Sequence, residues 1–414
     1  MNRFLILSLL FVFGLYLPGL VYAQEQKFIP LSKHPKNDTI TVITPDTVKQ
    51  LDMYDVIAKL FHKKNEQGGD SVGVKPVFSI VPALGYTLQS KLALTLAGNV
   101  AFRLTPGSKI STITINTAYT QTKQIIIPIQ SSIWTNDNEY NFVGDIRYYR
   151  YPQSSYGLGS NSNIANEQPM RYSFFRFNET VLKRLLPNLY AGAGYILDDH
   201  WHITHKKVID GAPSDYEAYG ATRSSRSSGI TLNMLFDSRD NSINAEKGFY
   251  GAVQYRDNEK VLGSNGRWQS LVIDVRKYIR FPEGTDNVLA LWSYNWLVLG
   301  GRPPYLDLPA NTWDPYSGTG RGYIQGRFRG AQMVYAESEY RFNITRNRLL
   351  GGVVFVNAES FSAAPGTALQ SVQPAFGPGL RLKLNKVSKT SIAVDYGIGR
   401  QGSRGVFINV GEIF

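Results

Sequence analysis

From Pro76 to Phe414 the chain alternates apolar and polar side chains with a period of two, in about sixteen segments divided by turn residues. That period belongs to strands, whose successive side chains point to opposite faces. Ile230, Leu232, Met234 and Phe236 share one face, and Thr231, Asn233 and Asp237 the other. Leu271, Ile273 and Val275 alternate with Val272, Asp274 and Arg276; Val334, Ala336, Tyr340 and Phe342 alternate with Tyr335, Glu337, Glu339 and Arg341. Two folds accept such strands. A β-sandwich turns its apolar faces inward, and a membrane barrel turns them to lipid around a polar lumen.

The connections separate the two. The segments lie near 76–87, 91–104, 109–121, 124–134, 139–151, 168–181, 187–198, 228–237, 247–257, 267–281, 287–299, 331–343, 348–359, 374–385, 389–400 and 404–414. Connections after even-numbered segments are short: Pro106 to Ser108, Thr135 to Asn138, Leu185 to Pro187, Ser238 to Glu246, Pro282 to Asp286, Thr345 to Asn347 and Asn385 to Ser388. The long ones, 152–167, 199–227, 300–330 and 360–373, all follow odd-numbered segments. A sandwich has no reason to sort loops by parity, whereas an outer-membrane barrel has short periplasmic turns and long outer loops. The expected fold is all-β: a transmembrane antiparallel β-barrel of about sixteen strands over 76–414. Phe414 serves as its C-terminal strand signal, although Glu412 interrupts the apolar face there.

The N-terminus agrees with export. Arg3, an apolar run from Phe4 to about Leu20, and small residues around Val21-Tyr22-Ala23 read as a signal peptide, 1–23. No later window is apolar for long enough to make a spanning helix, so membrane residence must come from strands. Residues 24–75 read as a polar periplasmic lead-in. One short amphipathic helix is expected there, through Leu51, Tyr54, Val56, Leu60 and Phe61, with Asp46 as its possible cap. Aromatics at 13% and 38 Gly suit aromatic girdles and tight turns. The chain has no Cys, which closes disulfide, thiolate and lipid-anchor readings. The net charge of +12 is scattered among apolar residues, so no nucleic-acid partner is expected.

Two motifs say more. Phe236-Asp237-Ser238-Arg239-Asp240-Asn241 precedes Lys247-Gly248-Phe249-Tyr250, a tight turn in which Asp and Asn side chains cap backbone. Gly318-Thr319-Gly320-Arg321-Gly322-Tyr323 lies in the long connection before the strand that carries Glu337 and Glu339. Together these resemble the BamA/TamA superfamily, the bacterial surface antigen family of outer-membrane proteins, over most of 76–414. The resemblance implies a sixteen-stranded barrel in which Asp237, Arg239, Asp240 and Gly248 form the family's turn. It implies a lumen-folded loop with Arg321, Gly322 and Tyr323, whose arginine meets acidic partners, Glu339 first, then Glu337, with Glu359 in phase nearby. The family often has an acidic residue where this chain has Asn357, and prolines where it has Ser242 and Ala245. The lead-in is too short for a periplasmic POTRA domain, so the likeness is to barrel-only members.

Other sites are weaker. Asp198, Asp199, His200, His202 and His205 gather in a long outer loop and could hold a metal, but a solvated loop is the plainer reading, and no metal or cofactor is expected. Tyr156 to Asn161 is a Gly-rich turn without the lysine of a phosphate cradle. No Gly-x-Ser-x-Gly elbow is present, histidines are absent from the strands, and no enzyme is expected.

The function expected is outer-membrane biogenesis, by inserting protein or lipid, or substrate translocation. The first-to-last strand seam, 76–87 against 404–414, would open or pair. The alternatives are a passive pore and a surface receptor or adhesin. The pore would prefer anions through inward Arg147, Arg276, Arg280, Arg381, Lys383 and Arg400, offset in part by Asp145, Asp274, Glu337, Glu339 and Asp395. The receptor would work through loops 199–227 and 300–330. Expected partners are outer-membrane lipid and lipopolysaccharide, the barrel-assembly machinery during the chain's own insertion, and client or accessory proteins around a monomeric barrel.

Overall fold

A computed structural model describes residues 48–61, 72–87, 91–206 and 214–414. The signal peptide 1–23 and the suggested cap Asp46 lie outside these residues.

Sixteen strands are present among the described residues. They are β1 (Val77–Thr87), β2 (Lys91–Phe102), β3 (Ser111–Thr120), β4 (Ile125–Trp134), β5 (Tyr140–Ser155), β6 (Gln168–Leu186), β7 (Leu189–His205), β8 (Ser225–Asp237), β9 (Gly248–Asn258), β10 (Trp268–Arg280), β11 (Val288–Gly301), β12 (Gln332–Asn343), β13 (Leu350–Ser362), β14 (Gln373–Asn385), β15 (Thr390–Ile398) and β16 (Arg404–Val410). Each pairs antiparallel with its sequence neighbours, in one sheet of order β1 to β16. The wall is tallest at β6, with 19 residues, and lowest at β16, with 7. β1 and β16 stand side by side, yet among the described residues no ladder joins them. The barrel is therefore closed by contact, with an unpaired seam.

Which face is outside decides the solvent. Ile230, Leu232 and Met234 on β8 are each more than half exposed, while Thr231 between them is fully buried. Leu92, Leu94 and Leu96 on β2 are likewise exposed, with Ala93 and Ala97 buried inside. An apolar belt of this extent on an outer surface needs lipid, not water.

The charged face forms a lumen of paired groups. Arg147 grips Asp145 two residues back on β5 through Nε and Nη2, both at 2.8 Å. Arg276 does the same to Asp274 on β10, at 2.9 and 2.6 Å. Two residues apart on a strand is one step along the same face, so the pair needs no help from tertiary structure. Arg381 is bound to Asp395 at 2.5 Å. Three of the arginines assigned to an anion pore are therefore neutralised in place, and Arg280, on the exposed rim, pairs with Glu246. Four of the six cations expected to draw anions thus stand against carboxylates.

Three other expectations need correction. The cluster His200, His202 and His205 sits on β7, which extends past its expected end, so histidines do occur in strands. His200 is buried, stacked on Phe174 at 4.5 Å, and His205 meets Glu217 at 3.1 Å. They do not converge on a common point, and among the described residues no group of three such ligands forms. Phe414 is not a strand-ending aromatic on the lipid face. β16 stops at Val410, and Gly411, at φ +105°, turns the last residues inward. There Glu412 meets Arg381 at 2.7 Å and Phe414 stacks on Trp292 at 5.0 Å. The carboxylate that interrupts the apolar alternation thus finds its cations inside the barrel. The short helix, α1 (Met53–Leu60), is capped by Asp52, which accepts from Asp55 N at 2.8 Å.

Candidate functional site

The connection from β11 to β12 folds into the lumen. Its apolar side chains Tyr305, Leu308, Trp313, Tyr323 and Phe328 are buried in one cluster with Tyr149, Phe174, Trp292 and Phe361 of the walls. Burial of this much aromatic surface favours docking of the loop over a solvated one. Locally the loop is self-braced. Asp314 Oδ1 accepts from Thr319 N at 2.9 Å and Thr319 Oγ1 at 2.6 Å, and its Oδ2 accepts from Gly318 N at 3.1 Å. A single bridge, Ala310 to Arg329, closes the loop's outer half. Arg329 donates to Leu306 O at 2.9 Å, and Arg327 donates to Ser162 Oγ at 2.9 Å and Gln401 Oε1 at 2.8 Å.

Arg321 stands at the inner end. Its Nη1 meets Asp395 at 2.6 Å, and its Nη2 meets Glu339 at 2.8 Å and also bonds Glu337. The guanidinium lies 3.9 Å from the centre of the Phe355 ring. Glu339 in turn holds Arg341 at 2.7 Å, and Tyr335 donates to Glu337. Through Arg381 and Glu412 the network reaches the inward-turned C-terminal residues, so Arg321, Arg341 and Arg381 face Glu337, Glu339, Asp395 and Glu412. All of these side chains are almost fully buried. A charge buried this deeply persists only with such partners.

Glu359 is not among them. It lies on the inward face, opposite Tyr335 in the β12–β13 register, and neither of its carboxylate oxygens has a hydrogen-bond partner. Two residues before it on the same strand, Asn357 donates to Arg321 O at 2.9 Å. Arg321 instead reaches across β13 and β14 to Asp395 on β15. Gly322 allows that reach. Its φ is +109°, and a Cβ there would stand 2.7 Å from Ala375 Cβ. Tyr323 OH donates to Pro374 O at 2.7 Å and accepts from Arg400 N at 3.1 Å, fixing the loop to β14 and the end of β15.

The described strands thus form a sixteen-strand barrel with an unpaired first-to-last seam and a lumen that holds the β11–β12 loop. A BamA from Haemophilus ducreyi lacking POTRA domains 1–3 matches 81% of this chain at TM-score 0.50 and 13% identity, over 69% of its own length. The fold is that of a BamA-type barrel. Two CdiB structures agree. The one from Acinetobacter baumannii has TM-score 0.51 and 11% identity, over 82% of this chain and 60% of its own. The one from Escherichia coli has TM-score 0.51 and 9% identity, over 81% and 62%. The chain thus spans less than two thirds of the CdiB chains. No protein-family model and no curated protein matches the sequence.

In this BamA-type barrel the β8–β9 turn that carries the other motif touches the same network, Asn244 Nδ2 donating to Glu412 at 3.3 Å. Arg239 grips Asp237 through Nε and Nη2, both at 2.9 Å, and lies 4.5 Å over the Tyr250 ring. Asp240 Oδ1 accepts from Glu246 N at 3.0 Å and Lys247 N at 3.2 Å. A Cβ on Gly248, at φ +115°, would stand 2.5 Å from Ser238 O. Sequence reasoning placed Asp395 and Arg381 on the inner face without joining them to the loop, and it missed the anchoring roles of Arg327 and Arg329. Their signal was present as Gly326-Arg327-Phe328-Arg329-Gly330, basic residues inside a Gly-bounded stretch.

Two cavities of about 320 Å³ each remain beside the loop. One lies against the seam, walled by small neutral side chains of β2 and β3 such as Ala93, Ala97, Asn116 and Ala118. The other is lined by the Asp145, Arg176, Arg256 and Asp274 side of the lumen.

Proposed function

We propose that this protein acts in outer-membrane biogenesis or substrate translocation through its β1–β16 seam, as a single barrel without covalent chemistry. One observation carries the reading. The lumen is stoppered by a loop held on Arg321, while the wall is left unpaired where β1 meets β16. A solute pore needs an open lumen and a sealed wall, which is the reverse. The seam offers unpaired backbone to a client strand or an accessory chain.

The same proposal places the chain in the outer membrane of a Gram-negative bacterium, exported on the signal peptide 1–23 and inserted by the barrel-assembly machinery. Its belt would meet lipid and lipopolysaccharide. We read 24–75 as a lead-in rather than a client-receiving domain.

Depletion followed by outer-membrane proteomics tests it. General loss of barrels assigns an assembly role, and loss of one class assigns a specialised client. An unchanged membrane proteome and lipid content would remove the proposal. In a planar bilayer the protein is expected to give small flickering events; a large, steady, anion-selective conductance would instead favour the pore.

A further inference from the structure

Helix α1 carries an apolar stripe that the barrel leaves uncovered. Met53, Val56, Ile57 and Leu60 stand at i, i+3, i+4 and i+7, on one helical face. Only Met53 packs on the barrel. Leu60 and the following Phe61 are 70% and 67% exposed, and Val56 and Ile57 are exposed as well.

The helix is held at its first turn. Asp52 is fully buried and accepts from Lys386 N at 2.9 Å, while Lys386 Nζ meets Asp55 at 2.5 Å. Leu51 N donates to Asn347 O at 3.0 Å, and Tyr54 OH donates to Phe78 O at 3.4 Å. The turn therefore joins β1 on one side of the seam to the β12–β13 and β14–β15 turns on the other. Its footing is on the wall. Leu384, Ile392 and Val410 gather with Met53 and Tyr54, and with Val81 and Ala97, in one cluster. Val410 follows the inward Asn409, which pairs with Ala393, so its alternation points outward, and it is buried in the cluster on which Met53 and Tyr54 pack.

On both flanks the belt continues at the same level. Phe78 and Ile80 on β1 are exposed beside Tyr54, and Ile344 and Leu350 are exposed beside Asn347. A rigidly seated helix with a bare apolar stripe, continuous with a lipid-facing belt and edged by exposed Lys59, has the form of an interfacial helix.

We propose that α1 is a membrane-interface helix. Its first turn braces the short-turn end of the seam, and Val56, Ile57, Leu60 and Phe61 bed in the lipid leaflet at that end. This depends on the barrel's residence in a bilayer and not on what the seam conducts or inserts.

The chain has no Cys, so single labels report cleanly. Leu60→Cys and, as a water-facing control, Lys49→Cys are labelled with an environment-sensitive fluorophore. The full mature chains are then reconstituted in phosphatidylcholine–phosphatidylglycerol vesicles. At residue 60, nitroxide-bearing acyl chains should quench several-fold more than aqueous iodide, and at residue 49 the order should reverse. Iodide quenching at 60 equal to that at 49 would overturn the proposal by showing a solvated stripe. Protection at 60 from both quenchers would overturn it by showing a protein cover. Phe61→Cys gives the same reading if Leu60→Cys does not fold.

Discussion

Gly322 in the lumen loop and Gly397 on β15 lie backbone to backbone: a Cβ on Gly397 would stand 2.5 Å from Gly322 N. Their contact sets how deep the loop sits, and with it the reach of Arg321. Alanine at 397 cannot be absorbed by a side-chain shift, because the obstacle is main chain. Gly397→Ala should weaken loop docking by about 1–3 kcal/mol. The barrel should still form, since β15 keeps its pairing with β14 and β16. The check is limited proteolysis of the folded barrel, with cleavage within 302–331 rising and the heat-modifiable gel shift retained.

Removing Arg321 leaves Glu337, Glu339 and Asp395 facing one another with less positive charge among them. Breaking a buried network from one side costs about 3–5 kcal/mol. Arg321→Ala should lower the urea midpoint of unfolding markedly. The paired change Arg321→Met with Glu337→Gln should recover part of it. Equal loss in both would mean that the network does not couple as its geometry requires.

Glu412 ties the inward-turned last residues to Arg381 at 2.7 Å. Glu412→Gln should cost about 1–3 kcal/mol and free Phe414 from Trp292. A fluorescence change from Trp292, read against a Trp292→Phe background, measures this. No change would mean that ring stacking alone holds the segment.

Asp307 lies in the loop outside the strands. Burial, with the charge of Asp198 next, pushes its carboxyl up to about 7. Ser227 donates to it at 2.5 Å, and His200 stands 3.5 Å away. The group is raised above its ordinary value of about 4, so the protonated form favours the docked loop. That contribution is complete below about pH 4 and fades as pH rises through about 7. Hydrogen exchange of residues 302–310, corrected for intrinsic rates, should quicken between about pH 4 and 7 and level off above that. Asp307→Asn should flatten the dependence; an unaltered profile in that variant would assign the effect elsewhere.

Emptying the lumen should test the stopper. Replacing 305–328 by a short Gly-Ser link should raise single-channel conductance several-fold. Its selectivity should stay weak, because Asp145–Arg147 and Asp274–Arg276 remain paired on the walls. Strong anion preference in that variant would show that the pairs do not cancel the field.

The strands were legible because side-chain alternation is a local property of extended backbone. Ile230, Leu232 and Met234 name their own face, and loop-length parity then names which side is wet. The limits of that reading show at β7. His200 to His205 lie on the last part of a 17-residue strand, past its apolar alternation, so hydropathy does not mark them as strand. At the other end Val410, Glu412 and Phe414 prolong the pattern on paper, yet Gly411 turns the chain off the wall.

Sequence alone determined the all-β barrel, its strand number and the inward charges, since each follows from neighbours two residues apart. Tertiary structure alone decided which carboxylates Arg321 meets. Glu359 and Asp395 share the same inward phase, and only sheet register, with the depth the loop gains through Gly322 and Gly397, brings Asp395 within 2.6 Å. Contacts between residues 74 positions apart depend on how the sheet curves shut, and side-chain period carries no record of that curvature.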